Sequence, residues 1–119
     1  MSKTVLVIDD DLTNVRIVES RLAKEGFAVV AAINGEGALK KLESLTPDLI
    51  ILDIQMPSMN GYTFLLELRK ISKFNHVPII VVTSRDDMEP IFKLNGVKDY
   101  IIKPVNFDVL FQKLRALGL

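Results

Sequence analysis

The residues with the most chemistry to offer stand where apolar runs end. Asp9, Asp10 and Asp11 follow Val5 to Ile8, and Asp53 follows Leu49 to Leu52. Thr83 and Ser84 follow Ile79 to Val82, and Lys103 follows Tyr100 to Ile102. Two carboxylates ~4 Å apart repel by about 4 kcal/mol at an effective dielectric near 20. Bringing Asp9, Asp10 and Asp53 together therefore requires a proton, a nearby cation, or both. Hard carboxylate oxygens with neither His nor Cys beside them suit Mg²⁺ or Mn²⁺ rather than zinc. A lysine and a hydroxyl added to such a cluster make a receptor for a phosphoryl group carried on one of the carboxylates. Asp53 is the natural acceptor, because it stands alone while Asp9 and Asp10 form a pair able to hold the metal. A carboxylate nucleophile needs no base, only a metal to align the donor and neutralise its charge.

Taken singly, each of these residues has a plainer reading. A lone Asp after a strand ordinarily caps the next helix, and Asp11, just before a helical stretch at Leu12, is read that way. Thr83 alone would end a strand, and Lys103 alone would be a solvated charge. Their joint placement after four different strands carries the argument, provided that the elements between them bring those four ends together.

The elements do so if the chain alternates strand and helix. Val5 to Ile8, Ala28 to Ala32, Leu49 to Leu52, Ile79 to Val82 and Tyr100 to Ile102 are short, nearly continuous apolar runs rich in Val and Ile. Strands covered on both faces, as in a parallel sheet, read this way. Between them the period becomes helical: Leu12, Val15, Val18 and Leu22, then Ala38, Leu39, Leu42 and Leu45, then Phe64, Leu65, Leu68 and Ile71. A short fourth helix is expected with Met88, Ile91 and Phe92 on its inner face, Asp86 or Asp87 as its cap and Pro90 in its first turn. Phe107, Leu110, Phe111, Leu114 and Leu117 mark the fifth. Glu25-Gly26, Thr46-Pro47 and Asn95-Gly96 end the first, second and fourth helices, and Gly61 opens the third. The expected architecture is α/β: a (βα)₅ doubly wound parallel sheet with right-handed crossovers. In strand order 2-1-3-4-5, strands one and three lie side by side where the order reverses, which is where open α/β sheets bind ligands.

Composition bounds the function. The 119 residues suffice for one domain, expected over 1–119, because halves would be too small to build cores. Lys plus Arg and Asp plus Glu both number 15, so no long-range field favours nucleic acid or an anionic membrane as partner. With no cysteine, thiolate metal sites, disulfides and thiol nucleophiles are excluded. The start shows no secretory h-region, and a cytoplasmic location is expected. His76, in a polar connection, is read as a surface residue, and Lys40-Lys41 as the solvated side of a helix. Asn34-Gly35-Glu36-Gly37 lacks the spacing of a dinucleotide loop, and no Walker-type phosphate loop exists.

In this order and spacing, several pieces together make a specific pattern. They are Val5 to Asp11, Pro47 to Pro57 with Asp53 inside it, Asn60-Gly61, Val82-Thr83-Ser84, and Asp99 to Pro104. Over nearly its whole length the chain resembles a response-regulator receiver domain of two-component signalling, with its flavodoxin-like fold. The resemblance implies Asp53 as the phosphorylated residue and Asp9 and Asp10 as holders of Mg²⁺ together with it. Gln55 would add its backbone carbonyl. Thr83 would bond a phosphoryl oxygen, Lys103 would pair with it, and Tyr100 would turn inward when Thr83 moves. Ser84 is small enough to leave access to the phosphoryl group, and Gln55 and Arg85 occupy the positions that tune its hydrolysis. Lys103-Pro104 would be cis. The stretch from Thr83 to Tyr100 is shorter than receivers commonly show, which makes the surface of the fourth helix, fifth strand and fifth helix unusual.

These readings converge on a phosphoryl-accepting signalling switch that turns over no external substrate. Its implied partners are a sensor histidine kinase or a histidine phosphotransfer protein and a downstream effector, with neither nucleic acid nor membrane bound directly. A small Mg²⁺-dependent phosphohydrolase with an Asp nucleophile is the alternative, but such enzymes place a second Asp two positions on, where this chain has Gln55. A flavin carrier of the same fold would have its cofactor phosphate repelled by Asp9, Asp10 and Asp11. A receiver reduced to docking would not need to retain all five site residues.

Overall fold

Each apolar run becomes a strand because its alternate side chains have a layer of helices to bury against on either side. The computed structural model describes residues 3–54, 61–84 and 96–119. The strands are β1 (Thr4–Ile8), β2 (Ala28–Ala32), β3 (Leu49–Asp53), β4 (Ile79–Thr83) and β5 (Asp99–Ile102). They form one parallel sheet in the order β2-β1-β3-β4-β5, the order expected. Among the described residues the helices are α1 (Leu12–Lys24), α2 (Gly35–Lys41), α3 (Gly61–Arg69) and the C-terminal α4 (Phe107–Ala116). The further helix expected between β4 and β5, with Asp86, Asp87, Met88, Pro90, Ile91 and Phe92, lies outside the described residues.

Strand periodicity divides the core in two. Val5, Val7, Leu49, Ile51, Ile80, Val82 and Ile101 pack with Val18 and Leu22 of α1 and with Leu110, Phe111 and Leu114 of α4. Leu6, Ile8, Ile50, Leu52, Ile79 and Val81 pack with Ala38 of α2 and Phe64, Leu65 and Leu68 of α3. The runs are continuous in sequence because both faces are covered.

Helix ends follow local chemistry. Asp11 caps α1, its Oδ1 accepting from the Thr13 and Asn14 backbone N–H groups at 2.9 and 3.3 Å. Asn34 caps α2 in the same way through Gly37 N–H at 2.6 Å. Gly26 and Gly96 have φ of 93° and 78°, a region that side chains with a Cβ rarely adopt. Arg69, at the end of α3, donates to the carbonyls of Phe74 and Gly96, both at 3.1 Å, and so ties α3 to the turn that enters β5.

Three expectations about the helices need correction. The helix α2 stops at Lys41, well before Thr46-Pro47; Leu42 is its C-cap, and Leu45 follows outside the helix, partly buried. Leu12, the first residue of α1, is 57% exposed rather than part of its inner face. Ile71 is 40% exposed; α3 ends at Arg69, and the chain then turns into a short 3₁₀ segment, Ser72–Phe74, that buries Phe74 instead. His76, Lys40 and Lys41 are exposed, as read from the sequence.

Phe64 has no exposed surface and fills the layer between α3 and the sheet. Phe64→Ala is expected to lower unfolding stability by about 3–5 kcal/mol in urea titration, with the slope unchanged.

Candidate phosphoryl and metal site

The register puts the acids together. Ile8 lies opposite Leu52, so Asp9 and Asp53, each one residue further along, end adjacent parallel strands at the point where strand order reverses. Asp9 and Asp53 are 7% and 3% exposed, whereas Asp10 is turned to solvent. All three nevertheless offer carboxylate oxygens within 4.8 Å of one another. Lys103 reaches in from the end of β5, its Nζ 3.2 Å from Asp53 Oδ2. The peptide between Lys103 and Pro104 is cis, as the resemblance implies. The Lys103 N–H also donates to the Thr83 carbonyl at 2.8 Å, which fixes the end of β5 against the end of β4.

Side-chain parity decides what faces what. Asp53 continues the alternation of Leu49 and Ile51, and so belongs to the α1/α4 side, as do Asp9 after Val7 and Lys103 after Ile101. Thr83 continues Ile79 and Val81 on the α2/α3 side and is buried. Tyr100, half-buried, packs on that same side and lies opposite Val81 in the register. Ser84 is exposed beside Thr83. Gln55 and Arg85 lie outside the described residues.

Charge in this pocket is finely balanced. Burial pushes the Asp9 carboxyl up from 3.8 to about 6. The Asp11 backbone N–H, donating at 2.9 Å, acts the other way; the Asp53 carboxylate raises it further, and Lys103 lowers it. Among the described residues one lysine thus faces three acids, and the donors are all hard oxygens. That set fits Mg²⁺ and not a metal that prefers nitrogen or sulfur. Beneath the acids, on the α1/α4 side, the site continues into a cavity of about 480 Å³ whose walls are almost wholly apolar. No local sequence signal marks it, because its walls come from two helices far apart in the chain.

A family model described as the response regulator receiver domain matches residues 5–115. The response regulator PleD of Caulobacter vibrioides is 35% identical over 98% of this chain and 26% of its own length. A probable transcriptional regulator, ycf27 of Cyanophora paradoxa, is 39% identical over 97% of this chain and 48% of its own. The chain thus spans about a quarter to a half of the length of these curated relatives. Among solved structures, the chemotaxis protein CheY4 of Vibrio cholerae superposes with a TM-score of 0.92 at 28% identity, covering 98% of this chain and 99% of that one. The response regulator TrrA of Thermotoga maritima, solved in complex with Mg²⁺-BeF, gives 0.86 at 36% identity over 97% and 98%. The chain belongs to the response-regulator receiver domain family of two-component signalling. Receiver domains are signalling switches that bind Mg²⁺ at an acidic cluster such as this one, and the phosphohydrolase alternative is not favoured.

The raised Asp9 carboxyl has a consequence for stability. Its folded value of about 6 lies above the ordinary 3.8, so the folded state holds the proton more tightly. The associated stability is fully present below pH 3.8 and is lost as pH rises through about 6. In metal-free buffer, Asp9→Asn is therefore expected to gain on the native protein by up to about 3 kcal/mol between pH 4 and 7.5, at ~1.4 kcal/mol per pH unit. Urea melts of both proteins at each pH measure that difference.

Proposed function

We propose that residues 1–119 form one receiver unit in which Asp53 accepts a phosphoryl group from a phosphohistidine on a partner protein. The observation that carries this reading is the buried Asp53 carboxylate, flanked by two further acids and paired with Lys103 at 3.2 Å. An Asp53 oxygen attacks phosphorus, the P–N bond to the donor imidazole breaks, and an acyl phosphate forms while the imidazole leaves and takes up a proton. Asp9, Asp10 and Asp53, with the Gln55 backbone carbonyl, would hold Mg²⁺, or Mn²⁺ in its place. When bound, that ion supplies charge neutralisation for the transferring oxygens. Lys103 pairs with the transferred group, and the Thr83 hydroxyl bonds one of its oxygens. Ser84 leaves the approach open, and Gln55 and Arg85 set how fast water reverses the modification.

Phosphorylation adds roughly −1.5 to −2 charges at one carboxylate. Drawing Thr83 toward that charge vacates space on the α2/α3 side, where Tyr100 already packs half-buried. The turn of Tyr100 into that space changes the surface around β5, the expected fourth helix and α4. A sensor histidine kinase or histidine phosphotransfer protein supplies the group, and an effector reads that surface. Zero net charge gives the unit no field of its own for nucleic acid. Among the described residues no helix is long and apolar enough to cross a membrane, in keeping with work in the cytoplasm. The unit phosphorylates itself from a donor and releases the phosphate, without turning over an external substrate.

Incubation with acetyl phosphate and Mg²⁺ is expected to add one phosphoryl group by intact mass, absent in Asp53→Asn and without a chelator-free ion. Lys103→Met, which keeps the apolar stem and removes the charge, is expected to retain the acceptor but to lose the conformational response seen in amide spectra around Tyr100. Continuous phosphate release from many substrates, or labelling that persists in Asp53→Asn, would overturn the reading.

A further inference from the structure

The cavity beneath the acids has the form of a ligand site in its own right. At about 480 Å³ it falls in the size range of small-molecule pockets, which are mostly apolar with a few convergent polar groups. Val7, Ile51 and Val82 form its floor, and Ile17, Phe107 and Leu110 its two sides. The cavity is walled by both α1 and α4, while Leu22 and Leu114 of the same two helices are buried in the core. Arg21 of α1 reaches across to lie 4.4 Å from the centre of the Phe107 ring, so the two helices remain linked at one wall of the opening. Ile17 and Phe107 stay partly exposed, leaving apolar surface uncovered.

Only one end of the cavity is charged. Asp9 and Asp53 line it there, with Lys103 and the Asn14 amide. The lysine is already engaged with Asp53 at 3.2 Å, and Asp10 adds a further carboxylate within the same 4.8 Å cluster. An anionic head group would meet this acid excess, whereas a cationic one would relieve it.

We propose that this cavity binds a small amphipathic cation, an organic amine whose apolar body lies between α1 and α4 and whose ammonium faces Asp9 and Asp53. Because its head shares the acids assigned to Mg²⁺ in the proposed function, amine and metal exclude one another, and an occupied cavity blocks phosphoryl acceptance. That last consequence rests on the phosphoacceptor reading; binding to the cavity does not.

The chain contains no tryptophan, so indole fluorescence reports the ligand alone. Tryptamine, its neutral analogue tryptophol and the anion indole-acetate are titrated with the metal-free protein. Tryptamine is expected to shift to the blue on binding, with at least tenfold preference over indole-acetate. Ile17→Ala, at an exposed position that leaves folding intact, should weaken it about tenfold, the low end for removing apolar groups from a hydrophobic pocket. Methyl spectra should place the ligand beside Val18, Val82 and Leu110. No binding, equal binding of the three indoles, or indifference to Ile17→Ala overturns the cavity proposal and leaves phosphorylation by acetyl phosphate unaffected. Tryptamine that binds but is not displaced by Mg²⁺ overturns the shared acidic end.

Discussion

Carboxylates held within 4.8 Å of one another are the unfavourable arrangement on which the upper end of this molecule is organised. Left to relax, Asp9, Asp10 and Asp53 would separate. They do not, because two of them stand at the ends of adjacent interior strands. β1 and β3 are hydrogen-bonded through Ile8 and Leu52, residues with no exposed surface, and cannot part without opening the core. Repulsion is instead relieved locally. Lys103 approaches Asp53, the Asp11 N–H supports Asp9, and the Asp9 carboxyl retains its proton to higher pH than usual. A divalent cation would be a fuller remedy than any of these, since one lysine cannot balance three acids.

The alternation that sorts the core also sorts the functional groups. Asp9, Asp53 and Lys103 continue the side of the sheet covered by α1 and α4, while Thr83 and Tyr100 belong to the side covered by α2 and α3. Charge placed on Asp53 therefore acts at the sheet's end, where both layers meet. The backbone bond from Lys103 to the Thr83 carbonyl makes the two strand ends one mechanical unit. In the proposed switch, a group added on one side is answered by hydroxyl and aromatic movement on the other.

The strands and the acids at their ends were legible because each rests on a local signal, whereas the strand order came with the family resemblance. Val- and Ile-rich runs mark buried strands, and the charged residues stand directly at their ends. Periodicity serves less well for helix limits, because it says which residues share a face and not how far the opposing surface extends. Leu12 obeys the period of α1 yet is largely exposed at its first position, and Ile71 obeys that of α3 after the helix has ended at Arg69. Asn34 carried a readable capping signal, an Asn three residues before the N–H it receives from Gly37, but its glycine-rich setting drew attention to nucleotide loops instead. Arg69 could not be read as a tie, since its partners are backbone carbonyls, one of them at Gly96, and any residue would present the same group.

The cavity is the other side of the same constraint. In the proposed function the site admits a phosphoryl donor, and the helices beside it leave apolar surface uncovered. Towards the far end of the strands Leu22 and Leu114 complete the core; at the acidic end Ile17 and Phe107 are left partly uncovered. The uncovered apolar surface lies directly against the acids because Val7, Ile51 and Val82 share the face of Asp9 and Asp53. Filling it with larger side chains would add burial but would also bring low-dielectric material against the Asp9 carboxyl, which burial already holds above its ordinary value. The open groove beside the acids leaves the apolar surface that the proposed amphipathic cation would occupy.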